Sequence, residues 1–149
     1  MSKNEEKFLS VDKFREKVYK NVGTLDSIDE IESGEAWKSA KPGCLGMLIV
    51  PFSKNLSAYS NRKMREHFKV AELEKKADEI LADEEIKKLL CEKLDATINL
   101  PIDAAYKITP ILYGLALEDE EKVPFNTMLF AIISRKIVKQ GVENYCPKQ

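Results

Sequence analysis

Residues 123–141 read VPFNTMLFAIISRKIVKQG, and this stretch decides the fold class. A helix is expected to start near Phe125–Thr127, just after Pro124, and to end at Gly141. Its first half, FNTMLFAII, is apolar on most sides, a pattern that a helix in water keeps only where other elements surround it. Its second half, SRKIVKQ, is basic, and cations there favour the negative end of the helix dipole. Such a helix needs neighbours, and the rest of the chain offers helices.

Upstream, NLPIDAAYKITPILYGLALEDEEK holds Pro101, which suits a first helical turn, and Pro110, which kinks or restarts the helix. Ile111–Leu117 is apolar nearly all round and is expected at the centre of the fold. Asp83 is placed to cap a helix that carries Ile86, Leu89, Leu90 and Leu94 on one face, with Glu84 and Glu85 in its first turn. From Asn55 to Ile80 the apolar positions also follow a 3.6-residue period. Near the start, Ser10 precedes Val11, Phe14, Val18 and Val22 at helical spacing, and Gly23 stands where a C′ glycine would end that helix. Leu25, Ile28 and Ile31 predict a short further helix that breaks at Gly34. Phe14, Trp37, Phe68, Tyr106, Tyr113, Phe125 and Phe130 are expected to build the core.

The exception is KPGCLGMLIVPFS, residues 41–53. Residues 44–52 are the one strand-like run, and one strand has no partner for its backbone groups. The expected architecture is therefore all-α: a single domain over 1–149, a bundle of five to seven helices with one extended segment near 44–52. Residues 1–9 and 142–149 are expected to fray.

Composition bounds the function. The chain has 149 residues, 44% hydrophobic and 33% charged, which is enough to bury a core without metal or disulfide. A formal net charge of -1 argues against coating nucleic acid or membrane over the whole surface. No run approaches the roughly 20 apolar residues that cross a bilayer, and the N-terminus has no apolar signal core. Cys44, Cys91 and Cys146 are odd in number and widely spaced, so reduced thiols in the cytoplasm are the simplest expectation.

No motif carries chemistry. Cys44 lacks the glycine spacing of a nucleophile elbow and a following helix N-terminus, and His67 is the one histidine in the chain. His67 has no second ligand at helical spacing, and the carboxylates around Asp26–Glu35 lack EF-hand spacing. Phosphate-binding glycine loops and haem or flavin signatures are missing too. Catalytic residues, metal and cofactor are all expected to be absent.

Two features point to contact. The apolar residues Leu45, Met47, Leu48, Ile49 and Phe52 form a candidate docking patch for another protein or a second copy. Beside it lie Lys54, Tyr59, Arg62, Lys63, Arg65 and Lys69, with Arg62, Arg65 and Lys69 on one helical face; Arg135, Lys136 and Lys139 make a second cluster. These cations suit phosphates or an acidic partner, or else pair with the acidic segments 26–35 and 72–85. The sequence thus suggests a non-enzymatic cytoplasmic interaction protein: an adaptor, accessory subunit or assembly factor. The alternative is a nucleic-acid-associated accessory subunit.

Overall fold

The computed structural model describes residues 9–33, 66, 67 and 69–146. Among them are six helices and no strand: α1 Val11–Ser33, α2 Val70–Ala82, α3 Glu84–Cys91, α4 Pro101–Glu118, α5 Thr127–Gln140 and α6 Val142–Tyr145. The all-α bundle expected from the hydrophobic pattern is what forms. The strand-like run 44–52, Trp37 and Phe68 lie outside the described residues. The contacts group the chain into two compact units. One is Met1–Val22 with Glu72–Gln149, and the other is Gly23–Ala71.

The first unit is built around α5. Every residue from Thr127 to Ser134 is buried, as is Ile137, which is why FNTMLFAII could be apolar on most sides. Asn126 caps the helix by accepting from the Leu129 amide at 3.0 Å. Gly141, at φ 92°, ends it in a conformation that favours glycine. The most extensive packing is between α4 and α5; α3 leans on α4, and α6 folds back on α5. Phe14 of α1 enters this core, its ring 4.9 Å from Phe130, 5.5 Å from Tyr113 and 6.3 Å from Phe125. Edge-on and tilted contacts of this kind suit the aromatic quadrupole. The Tyr113 hydroxyl donates to the Leu9 carbonyl at 2.7 Å, and the Asn21 side-chain amide donates to Thr127 Oγ1 at 2.8 Å. These two polar contacts fix the register of α1 in that unit.

Asp83 caps α3 as expected, accepting from the Ile86 amide at 3.0 Å, and it also pairs with Lys122 at 3.0 Å. Those donors hold its carboxyl below the ordinary aspartate range, the backbone amide of Ile86 first and Lys122 second. In the second unit, Leu25, Ile28 and Val70 are buried.

Several expectations are corrected. Gly23 does not end α1: Leu25 and Ile28 continue the stripe of Phe14, Val18 and Val22 without a break, and burial of that stripe outweighs the glycine penalty of about 1 kcal/mol. The helix expected from Asn55 to Ile80 is interrupted at Lys69, whose φ of 52° is left-handed, and α2 begins only at Val70. Ile111–Leu117 is not central throughout, since Leu112 and Ala116 are buried but Leu117 is 65% exposed. Tyr106, expected in the core, is 53% exposed, and Leu89 is exposed beside its buried neighbours Ile86 and Leu90. The end expected to fray instead begins with α6, where Val142 and Tyr145 are buried. Finally, Cys91 and Cys146 are not reduced thiols. They form a disulfide across a Cα–Cα distance of 5.6 Å. Spacing along the chain could not reveal the pair, because α4 and α5 lie between its partners.

Candidate functional site

The residues expected to act divide sharply. Leu45, Met47, Leu48, Ile49, Phe52, Lys54, Tyr59, Arg62, Lys63 and Arg65 lie outside the described residues, as does Cys44. His67 and Lys69 are exposed. Among the described residues no group of three or more His, Cys, Asp or Glu side chains could hold a metal ion. No described helix is long and apolar enough to cross a membrane.

The second basic cluster borders an open cleft of about 510 Å³, lined by Asp78, Leu81, Lys87, Lys136, Lys139 and Tyr145, with Ala82 and Gln140. Here α2 and α5 both end, so two negative helix ends face the same space and cations are favoured. Lys136 pairs with Asp78 at 3.1 Å, an acid of the 72–85 segment. The Lys87 ammonium stands 5.3 Å from the centre of the Tyr145 ring. Arg135 is partly buried, and loss of water around it lowers its pKa. Lys139 is exposed on the last turn of α5. Within the cluster, Lys136 ties α5 to α2 through Asp78. The Tyr145 hydroxyl completes that arrangement by donating to the Leu81 carbonyl at 3.0 Å. Burial, with the nearby charges of Glu84 and Asp83, pushes the Tyr145 pKa up to about 12.

The surface that stands out lies on α4. Its inner face buries Ala104, Ala105, Ile108, Thr109, Leu112 and Ala116. On the side away from these, Ile102 is 49% exposed, Tyr106 53% and Leu117 65%; Pro110 is exposed and Tyr113 partly so. At 3.6 residues per turn, positions 102, 106, 110 and 117 fall within about 80° of arc, making one apolar stripe, while Tyr113 in the same arc turns its ring inward onto Phe14 and Phe125. Leu100, 58% exposed, extends it past the start of the helix. Pro110 is tolerated because it faces outward. The carbonyl its missing N–H would have served belongs to exposed Tyr106, within reach of water.

Polar groups border the stripe. The Arg15 guanidinium lies 4.6 Å above the Tyr106 ring, and its buried Nε has no hydrogen-bond partner. Tyr19 is close enough to Arg15, Tyr106 and Asp103 to feel their charges, and burial raises its pKa. Two tyrosines and an arginine beside exposed aliphatic side chains match the composition of protein interface centres.

Sequence reasoning missed this stripe. The signal was present in the i, i+4, i+8, i+15 spacing of Ile102, Tyr106, Pro110 and Leu117. It was hidden because α4 also carries a second apolar face, and periodicity alone does not say which of two faces is inward. Comparisons with protein-family models, curated proteins and solved structures give no match for this chain.

Proposed function

We propose that the protein is a non-enzymatic interaction protein, an adaptor, accessory subunit or assembly factor, and that it docks a protein partner through the outer face of α4. The observation that carries this reading is the alignment of the exposed residues Ile102, Tyr106, Pro110 and Leu117 on one face of α4. Four such residues on one face leave an apolar patch, of a kind folded chains rarely expose without use. The aromatic and arginine flank supplies the anchors that interface energetics favour.

The test is affinity purification of the tagged full chain from its native source, with and without nuclease, alongside the Ile102→Lys variant. A partner that survives nuclease and is lost from Ile102→Lys is the expected result. Retention indifferent to Ile102→Lys, or a retained species that disappears with nuclease, overturns the reading. A cytoplasmic setting is the sequence's expectation and belongs to the same proposal, but the Cys91–Cys146 disulfide weighs against it, because such bonds persist mainly in oxidising compartments. Alkylating cell extracts at the moment of lysis checks it, because a Cys91–Cys146 bond fully oxidised in every molecule argues for an oxidising compartment.

A further inference from the structure

We propose that the outer face of α4 receives an acidic, amphipathic segment of a partner protein, one carboxylate of which pairs with the Arg15 guanidinium beside Tyr106. The proposal rests on the contact reading above and gives the partner its chemistry.

The first observation is an unsatisfied guanidinium. Arg15 of α1 is half-buried and stands 4.6 Å above the ring of Tyr106. Its Nε is buried without an acceptor, and no salt bridge reaches it among the described residues. A buried donor left without an acceptor is costly, and folded chains keep few of them. The cation–π contact holds the guanidinium at the edge of the exposed face, so an arriving carboxylate meets a group already in place. Guanidinium and carboxylate make the stronger, charge-assisted kind of hydrogen bond, and arginine is among the residues that dominate interface energetics.

The second observation is charge complementarity. Lys107 Nζ lies 6.0 Å from the centre of the same ring, so cations from two helices gather at one exposed tyrosine. Two acids stand nearby: Asp103, whose charge reaches Tyr19, and Asp95, on which Lys107 acts. Neither forms a salt bridge with Arg15 or Lys107 among the described residues. Burial raises the Tyr19 pKa, so its hydroxyl is a neutral donor and adds no negative charge. Positive charge is thus left over for a partner.

The third observation is what surrounds that charge. Ile102, Pro110 and Leu117 are exposed on the same face as Tyr106. A nucleic acid uses a row of cations on its phosphates, and here it meets aliphatic carbons and Asp103 instead. A protein segment with aliphatic and acidic side chains matches both halves of the surface, in the manner of an amphipathic helix laid on an apolar face. The exposed face runs about 22 Å from Ile102 to Leu117, which a helix of about 16 residues covers.

The experiment is selection of peptides of about 16 residues from a displayed random library on the full chain, then fluorescence anisotropy of the selected peptides, with an oligothymidylate measured alongside. Circular dichroism confirms that each variant is folded. The selected peptides are expected to carry Asp or Glu among aliphatic residues. Arg15→Met, which keeps the apolar stem, should weaken them about tenfold, Ile102→Lys about tenfold or more, and Lys107→Glu several-fold. Arg15→Glu should reject them and accept counterparts whose acidic residues are changed to Lys. Lys107 is exposed, so Lys107→Glu decides the matter where Arg15→Met does not fold. Peptides without acidic enrichment, or binding indifferent to both Arg15→Met and Lys107→Glu, overturn the proposal. If such peptides are still lost on Ile102→Lys, the contact reading stands without the acidic partner. If no selected peptide responds to Ile102→Lys, both fall. Oligothymidylate bound in place of the peptides and lost on Arg15→Met assigns the site to nucleic acid and also overturns the proposal.

Discussion

Tyr145 does three things through one side chain. Its ring is buried, its hydroxyl holds the last carbonyl of α2's apolar face, and it carries the Lys87 ammonium. Tyr145→Phe keeps the ring and removes the donor, leaving the Leu81 carbonyl without that bond. A loss of about 1 kcal/mol is expected, read as a lower urea midpoint. The raised pKa adds a pH signature. Below the ordinary tyrosine value of 10.0 the hydroxyl is protonated in both folded and unfolded chains. Between there and about 12 only the unfolded chain releases its proton. Stability should therefore decline as pH rises from about 10 to 12, and Tyr145→Phe should remove that part of the decline. Urea denaturation at a series of alkaline pH values reads both effects. The sequence placed Tyr145 in a fraying tail because a four-residue helix is too short to leave a periodic signal.

At the scale of elements, the glycines separate propensity from geometry. Gly23 sits exposed within α1 with nothing within 4 Å of where a Cβ would stand. Gly23→Ala should stabilise the chain by up to about 1 kcal/mol, raising the melting temperature by a few degrees. Gly141 joins α5 to α6 at φ 92°, and there the same substitution is strained. Gly141→Ala should destabilise by about 1–3 kcal/mol. Paired melting curves of the two variants test this, and equal signs would refute the assignment. Most of the helices were legible from residues alone. Asp83, Pro101 and Gly141 mark ends by local chemistry, and the apolar run of α5 could not be anything but buried. The end of α1 was misread for the opposite reason. A glycine is a permissive stop, and the helix runs on when the apolar stripe beyond it finds a place to be buried.

For the whole molecule, the disulfide is the strongest constraint that no local signal announced. It joins residues 55 apart in sequence and so ties the end of α3 to the end of α6 around α4 and α5. In the chain-entropy account, closing a loop of this size stabilises by about 4 kcal/mol. Reduction, or the double variant Cys91→Ala with Cys146→Ala, should lower the urea midpoint markedly. Thiol titration of the denatured, unreduced protein should find at most one free thiol of the three cysteines in the sequence. Three free thiols would refute the bond.

The sequence by itself determined the helical class, the position and burial of α5, the Asp83 cap that starts α3 and the Gly141 that ends α5. Each of these follows from interactions within a turn or two of chain, or from an apolar density that water does not tolerate. Tertiary structure alone decided which face of α4 stays outside, that Tyr106 and Leu117 meet solvent, and that Cys91 finds Cys146. Those outcomes depend on groups far apart in the chain, whose approach is set by packing and not by any local preference. The candidate site belongs to this second class. Its residues are ordinary one by one, and they become a surface only because α5 and Phe14 occupy the other side of the helix.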